Sequence, residues 1–460
     1  MPHEHPILYW MIENLSPWFI VYFALINACY TFFLFIGSIR IFYRKYTLGL
    51  EKLPRNLTDQ PLGSMTFIIP SYNEQHHLMA KIENTLAVPL VHQEILIVDD
   101  GSTDDTLAEL IRELELIEIP MTHEILIPCM PIKAVYQSAR IPCCKVIAKV
   151  HGKKHDALNA GLNFARHPYV ITTDVDTMID GQTFGDMIRP FFSDPRIVAL
   201  GASVRIKNGI EFHQGQIGQI KLSRSWLAGL QLIEYLRCFF IRIGIDSLNA
   251  GFVVSGCFTI FPLSRLIECK GFAPTVAEDM EIIIRLHREM RKKKQPFKVC
   301  YMPDPAIYTE VPETLSRLGR QRRQWHRGLM ESFAMHPKMF FNPFYGLAGL
   351  AAYPFGFFFE ILEPLIELAG FITILSGYLM GYLDLEYFLI LISFSYGFTF
   401  FISISCLFIE ELSFDRYPRR LTTGKMIALC ALENLGYRQL NLIWRLQGMI
   451  SFLTGLWVRR

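Results

Sequence analysis

The sequence predicts an α/β fold, a doubly wound and mostly parallel sheet, joined to interfacial amphipathic helices and transmembrane helices. Between about residues 64 and 300, short β-branched runs alternate with amphipathic stretches, which is typical of strand–helix units around a parallel sheet. Residues 17–39 carry no charged side chain and are long enough to cross a bilayer core. Of the 460 residues, 51% are hydrophobic and only 19% are charged, a balance that favours a partly membrane-embedded chain.

By composition the chain divides into four regions. They are an N-terminal transmembrane helix (residues 1–45), a cytoplasmic α/β domain (60–305), interfacial helices (306–342) and a C-terminal transmembrane and interfacial region (343–460). Arg40, Arg44 and Lys45 follow the first apolar segment, so the positive-inside rule places the α/β domain in the cytoplasm. A multi-pass protein of the cell inner (plasma) membrane is expected. The net charge of +2 lacks the basic excess of nucleic-acid binding proteins, so no nucleic-acid partner is predicted.

Five apolar runs are predicted to be strands: MTFIIP, EILIVDD, CKVIAKV, YVITTDVD and IVALGASV. Polar clusters follow three of them, at residues 71–74, 99–102 and 174–177. Ligands of open α/β sheets bind at the carboxyl ends of the strands, so these clusters predict the binding site.

The C-terminal region is predicted to be largely membrane-embedded. Residues 344–381 contain two prolines and three glutamates, which favours a kinked or two-piece helix facing other protein. Residues 386–409 form a cleaner span. Residues 426–460 are apolar but interrupted by charges, and both an interfacial helix and a further crossing fit them.

The first two clusters suit a nucleoside. The end of the first strand, from Pro70 onward, offers Tyr72 to stack on a base and Glu74 to accept hydrogen bonds from it. Asp99 and Asp100, at a glycine turn, suit the imide of uracil and the ribose hydroxyls. Ordinary Asp-Gly turn chemistry explains the second cluster equally well.

Asp174 and Asp176 stand at alternate positions at the end of an apolar strand, which places both carboxylates on one face. Such oxygen ligands suit Mg²⁺ or Mn²⁺ beside a diphosphate. A helix cap plus a solvated acid is the structural alternative. Lys154, just before a helical run, is a candidate phosphate contact or a surface lysine.

Two further motifs follow. Glu278 and Asp279 open a predicted helix, where they either complement the helix dipole or supply a general base, which together with a metal-stabilised leaving group implies inversion. The run 320–325 joins Arg322 and Arg323, suited to phosphate oxygens, to Trp325, a platform for a sugar ring. A basic, aromatic interfacial helix has the same composition.

The ordered set of motifs resembles the membrane-bound inverting glycosyltransferases of family 2, which include cellulose, hyaluronan, chitin-oligosaccharide and poly-N-acetylglucosamine synthases. The resemblance covers nearly the whole chain and implies a GT-A-like fold. It implies that Asp99 and Asp100 bind the nucleoside of a UDP-sugar. It also implies that Asp174 and Asp176 bind nucleotide and metal, and that Lys154 contacts phosphate.

The same resemblance assigns the acceptor side. Asp279, in Ala277-Glu278-Asp279, becomes the expected base, although the family's preceding threonine is replaced by alanine. The residues expected to contact the acceptor are Ser255, Gly256, Cys257, Gln321 and Trp325. Gln324 stands where the family pattern has arginine, so the phosphate contact must come from Arg322 or Arg323, and processivity is less secure.

Three functions fit these residues. A processive synthase would extend a β-linked polymer from a UDP-sugar and pass it through a channel formed by the membrane helices. A non-processive enzyme would move one sugar to a lipid or short-glycan acceptor, with membrane lipids around its anchor. A non-catalytic export scaffold is the third reading, and the intact acids argue against it.

Overall fold

The structure is a computed structural model that describes residues 6–50, 62–121, 124–213, 215–414, 416–417 and 420–458. Its strands are β1 (Leu62–Ser71), β2 (Leu90–Asp99), β3 (Leu116–Ile119), β4 (Ile132–Ser138), β5 (Cys144–Lys149), β6 (Tyr169–Thr173), β7 (Met178–Ile179), β8 (Ile197–Ile206), β9 (Phe212–His213), β10 (Gln216–Ile217), β11 (Phe258–Pro262) and β12 (Lys298–Thr309).

The helices are α1 (Pro6–Leu50), α2 (Leu78–Leu86), α3 (Thr106–Glu113), α4 (Lys154–Phe164), α5 (Gly181–Ser193), α6 (Trp226–Asp246), α7 (Leu263–Glu268), α8 (Glu278–Lys292), α9 (Leu315–Ala334), α10 (Tyr353–Gly356), α11 (Glu363–Leu379), α12 (Leu385–Phe414), α13 (Arg420–Leu432) and α14 (Arg438–Val458). Shorter helical turns lie at Pro337–Met339, Pro343–Tyr345, Ala348–Ala352, Phe357–Ile361 and Glu433–Tyr437.

One mixed sheet runs in the order β3-β4-β5-β2-β1-β6-β11-β8-β12-β7. The neighbours β5, β2, β1 and β6 are parallel, as are β8 and β12, while β11 runs antiparallel between β6 and β8. The predicted mostly parallel α/β sheet is therefore confirmed. Every residue of β5 and β8 is buried, as expected of strands covered on both faces, and this explains their continuous apolar runs.

The five predicted strands correspond to β1, β2, β5, β6 and β8, but the domain boundary at residue 305 falls inside β12. That strand continues to Thr309, so the sheet extends four residues further than we expected. The reason is local: Pro303, Asp304 and Pro305 suggest a loop, whereas the structure accommodates them in a register shift between Met302 and Ile307.

Two described segments, Pro17–Thr47 and Leu385–Phe414, are long and apolar enough to cross a membrane. Many of their large apolar side chains are exposed, including Phe35 and Phe394. The expected interruption within residues 344–381 is present, because helical turns ending at Ile361 precede a new helix at Glu363. Residues 426–460 are likewise broken, at Glu433–Tyr437.

The basic residues after the first apolar segment form ion pairs that connect α1 to α6 and to the sheet. Arg40 pairs with Asp246 of α6, and Arg44 Nε lies 2.7 Å from Asp304 Oδ2 of β12. α6 is mostly buried between α1, α12 and the sheet. It therefore forms the connection between the sheet and the apolar helices.

A buried ion pair also joins the sheet to α12. Arg205 on β8 is 1% exposed and Glu410 on α12 is fully buried, and two hydrogen bonds of 2.9 and 2.6 Å connect them. Bidentate geometry and burial make each charge dependent on the other.

Arg205→Met should destabilise the fold by about 3–5 kcal/mol, because it leaves the Glu410 carboxylate buried without its partner. The double variant Arg205→Met/Glu410→Leu should recover most of that loss, since neither charge is then stranded. The half-life of folded protein at a fixed temperature, measured for the parent and both variants, ranks their stabilities. Equal half-lives for the single and double variants would contradict the pairing.

Candidate active site

The Asp174-Val175-Asp176 turn follows β6 and is held by hydroxyl groups. Asp176 Oδ1 accepts hydrogen bonds from Thr177 Oγ1 and Thr309 Oγ1, each at 3.2 Å. Burial raises the pKa of Asp176, and the negative charge of Asp174 raises it further. Thr309 ends β12, so a strand that we did not predict supports one of the two carboxylates.

Lys81 lies beneath the same turn and was not identified from sequence. Its ammonium donates to Thr173 Oγ1 at 2.9 Å and to the carbonyl of Thr177 at 2.5 Å, which fixes the backbone on both sides of the acids. Burial lowers the pKa of Lys81 to about 7. A lysine within an amphipathic helix ordinarily faces solvent, so no sequence signal marked this one.

Lys154, at the start of α4, connects the two halves of the site. Its Nζ lies 2.6 Å from Asp174 Oδ1 and 3.3 Å from Glu278 Oε1, and donates to the carbonyl of Gly256 at 3.1 Å. Burial opposes its charge, but Asp174 and Glu278 outweigh that effect and hold the pKa of Lys154 well above its usual value. Four separate chain segments therefore meet at one ammonium group.

Glu278 and Asp279 begin α8 and are both strongly desolvated. Burial raises the pKa of Glu278 to about 7 against the opposing charge of Lys154, and burial likewise raises the pKa of Asp279. A Cβ atom at Gly256 would lie 2.5 Å from Asp279 Oδ2. Gly256 is therefore the residue that allows the backbone to approach this carboxylate so closely.

The predicted acceptor loop, Ser255 to Cys257, lies between the two acid groups. Ser255 Oγ donates to the carbonyl of Ala202 on β8, and the carbonyl of Cys257 accepts from the Asp174 amide at 3.1 Å. The loop therefore links the strand-end turn to the start of α8.

The predicted nucleoside residues lie at the neighbouring strand ends. Tyr72 is 43% exposed and its ring centre lies 4.6 Å from that of His151, while Pro70 is half-buried. Burial raises the pKa of Glu74, whose amide donates to Thr106 Oγ1. Asn73 bonds to Ser102 and Thr103, so these two strand-end loops form one unit.

The two adjacent aspartates differ in their partners. Asp99 is 2% exposed and accepts from the Ser102 amide at 3.3 Å, and burial raises its pKa. Asp100 accepts from Lys149 Nζ at 2.5 Å and from the amides of Gly152 and Lys153 at 3.0 and 2.8 Å. Through these bonds Asp100 has a structural role, because it fixes the loop that leads to Lys154.

Twelve of the predicted site residues line one cavity of about 1620 Å³. They lie at the end of the cavity next to the sheet and are Lys154, Asp174, Asp176, Glu278, Asp279, Ser255, Gly256, Cys257, Gln321, Arg322, Arg323 and Trp325. From there it continues between the apolar helices. Among the described residues, Pro70, Tyr72, Glu74, Asp99 and Asp100 do not line it.

The motif on α9 does not present its arginines as expected. Arg322 is 5% exposed and its Nη2 donates to Glu234 Oε2 at 2.8 Å, while Arg323 Nη1 donates to Gln447 Oε1 at 3.0 Å. Both predicted phosphate contacts are thus engaged with side chains of other helices. Sequence reasoning missed Glu234 because only the tertiary fold brings α6 beside α9.

The acids at the β6 end fit a divalent cation that shares its ligands with a diphosphate. Asp174 and Asp176 supply hard carboxylate oxygens, as Mg²⁺ and Mn²⁺ prefer. Among the described residues, no group of three or more His, Cys, Asp or Glu side chains is placed to hold a metal ion unaided. The remaining ligands must therefore be phosphate oxygens and water, the usual arrangement for magnesium.

The chain is similar in sequence to curated polysaccharide synthases. The chain is 29% identical over 300 residues to the poly-beta-1,6-N-acetyl-D-glucosamine synthase of Staphylococcus aureus (strain COL), an alignment covering 64% of this chain and 61% of that protein. The synthase of the same name from Staphylococcus epidermidis is 28% identical over 297 residues, with the same coverage. The chain thus spans about three fifths of the length of these relatives.

Among solved structures, a mannosyltransferase from Pyrobaculum calidifontis in complex with GDP-Man and Mn²⁺ superposes with a TM-score of 0.51. It is 16% identical, and the match covers 90% of this chain and 99% of that one, so the two share a fold. Residues 66–121 match the family described as Glycosyl transferase family 2. Residues 169–404, just over half of the chain, match Glycosyl transferase family group 2, and the chain therefore belongs to this group of glycosyltransferases.

Proposed function

We propose that the protein transfers a sugar from a UDP-sugar to the end of a growing glycan at the cytoplasmic face of a membrane, with inversion, and guides the β-linked product into the bilayer. The observation that carries this proposal is the continuity of one cavity, which runs from Asp174 and Asp279 to Glu367 and Arg438 in the apolar helices. The relatives' name, poly-beta-1,6-N-acetyl-D-glucosamine synthase, supports a polymeric product.

On the donor side, Lys154 contacts the diphosphate, and Asp174 and Asp176 would hold it through a shared divalent cation. A bound Mg²⁺ or Mn²⁺ would neutralise the charge that develops on the leaving nucleoside diphosphate. Lys154 already sits between Asp174 and Glu278, so a diphosphate entering beside Asp174 meets a fixed cation. Tyr72 and Asp99, at the adjacent strand ends, are the proposed contacts to the base and ribose.

On the acceptor side, Asp279 removes the proton from the attacking hydroxyl. Its raised pKa suits a base near neutral pH, and Gly256 allows it to reach the space beside the loop of residues 255–257. Attack from the side opposite the diphosphate inverts the anomeric carbon. Trp325, 47% exposed and lining the same cavity, is the proposed platform for the acceptor sugar.

Paired charges line the cavity between the apolar helices. Arg438 Nε lies 2.9 Å from Glu367 Oε1, Arg237 Nη2 lies 2.7 Å from Glu433 Oε1, and Arg445 pairs with Glu363. Each pair brings hydrogen-bonding groups into an apolar region without adding net charge. Such a lining suits a neutral, hydroxyl-rich glycan better than an acyl chain, and this favours passage of a polymer.

Asp279→Asn should lower the transfer rate at least a hundredfold, because the amide cannot accept the hydroxyl proton. Nucleotide binding, measured by calorimetry with UDP and Mn²⁺, should stay within about twofold of the parent, since the diphosphate contacts lie on Asp174, Asp176 and Lys154. Undiminished turnover in this variant would remove Asp279 from the role of base.

The acidic fall in the transfer rate should begin above the usual range of an aspartate, because burial raises the pKa of Asp279 and also raises that of its neighbour Glu278, to about 7. The pH dependence of folding stability has the opposite direction. Folding raises the pKa of Glu278, so this carboxyl stabilises the fold while it is protonated, and that contribution is lost as the pH rises through 7. A pH–rate profile with melting curves at each pH separates the two effects. An acidic limb near 4, the value of an ordinary aspartate, would contradict this assignment.

Gly256→Ala should reduce transfer at least tenfold, because the added Cβ displaces the Asp279 carboxylate. Gly251→Ala is the matched control, since its Cβ would meet its nearest neighbour at an ordinary 3.8 Å. Initial rates of UDP release with acceptor measure both. Equal rates in the two variants would show that the Gly256 contact does not position the base.

A single-sugar transferase is the second candidate, favoured by Gln324 in the place of the family's arginine. Product length distinguishes the candidates when purified protein is incubated with labelled UDP-N-acetylglucosamine, the donor suggested by the relatives' name, and a panel of other UDP-sugars. A polymer supports the proposal, one added sugar supports the second candidate, and no product with any donor supports the scaffold reading.

A further inference from the structure

Arg322 occupies an enclosed position beneath the proposed acceptor platform. Its guanidinium carbon lies 4.3 Å from the centre of the Trp325 ring, close enough for a cation–π contact. One Nη2 donates both to Glu234 Oε2 at 2.8 Å and to Tyr437 Oη at 3.3 Å, and Tyr437 Oη also donates to Glu234. Arginine, glutamate and tyrosine thus form a closed network on one side of the indole.

These contacts tie Arg322 Nη2 to other side chains of the chain and hold the guanidinium beside the indole. Its charge is balanced by Glu234, and withdrawing the guanidinium would leave that carboxylate without its cation. The cation–π contact with the indole further restricts the side chain, because the guanidinium must stay over the ring. Arg322 is therefore held against the tryptophan by its contacts with Glu234 and Tyr437.

The network also joins three separate elements. Glu234 lies on α6, Arg322 on α9, and Tyr437 at the helical break between α13 and α14, where Gly436 has a φ of +89°. Tyr235, next to Glu234, adds a ring 6.4 Å from Trp325. The orientation of the indole is consequently set by both the buried helix α6 and the C-terminal helices.

We propose that Arg322 is a positioning residue, which Glu234 and Tyr437 hold in place so that Trp325 presents one face to the acceptor sugar. This inference rests on the proposed function, in which Trp325 contacts the acceptor. It assigns to Arg322 a role on the acceptor side, with no contact to donor phosphate. It also identifies Glu234 and Tyr437 as members of the acceptor site that touch no substrate.

The kinetic test compares Arg322→Lys, Arg322→Met and Tyr437→Phe with Arg317→Met, an exposed control on the same helix. The two Arg322 variants should raise the acceptor KM at least tenfold and leave UDP affinity within about twofold, because lysine keeps the charge but lacks the flat guanidinium. Tyr437→Phe should produce a smaller rise of the same kind. Weaker UDP binding in Arg322→Met, restored in Arg322→Lys, would make Arg322 a phosphate ligand and overturn the proposal.

A second measurement does not depend on activity. In protein labelled with 5-fluorotryptophan, the ¹⁹F resonance that is missing from Trp325→Phe belongs to Trp325. That resonance should shift or broaden in both Arg322 variants and stay unchanged in Arg317→Met. An unmoved resonance overturns the positioning role, whereas a moved resonance with an unchanged acceptor KM shows that Trp325 is positioned as inferred and that its proposed contact with acceptor is wrong.

Discussion

The site depends on the ion-pair cluster around Lys154. Its ammonium group contacts the Asp174 carboxylate at the end of β6, the Glu278 carboxylate at the start of α8 and the carbonyl of Gly256. These three oxygen-bearing groups come from separate parts of the chain and share this one cation. Without that cation, Asp174 and Glu278 would repel each other in a desolvated cleft. Asp100 contributes indirectly, because it holds the loop that delivers Lys154. The residues proposed to bind the donor and the proposed base are therefore parts of one electrostatic unit.

The sequence was sufficient where local patterns determine the structure. Continuous apolar runs identified the central strands, and polar residues at their ends indicated the side of the sheet that carries the site. Thr309 and Lys81 could not be recognised, because their roles arise from strand pairing and from burial of a helix face. The partner of Arg322 could not be predicted either, since it is Glu234, some ninety residues away in the chain.

The helices outside the sheet follow the same physical logic. The glutamates of residues 344–381 were expected to face other protein, and two of them, Glu363 and Glu367, each pair with an arginine. Glu433, outside that segment, also pairs with an arginine. Which arginine pairs with which acid requires the packing of helices distant in sequence. These pairs line the cavity that begins at the acids of the sheet, so the charges that are costly in an apolar region lie where a polar product would pass.

A cryo-EM map of the protein with a non-hydrolysable UDP-sugar and Mn²⁺ tests the central claim most directly. The account predicts diphosphate and metal density in contact with Asp174, Asp176 and Lys154, with the anomeric carbon facing Asp279 across the loop of residues 255–257. Nucleotide density in a cleft that does not touch these acids, or a sugar turned away from Asp279, would contradict it.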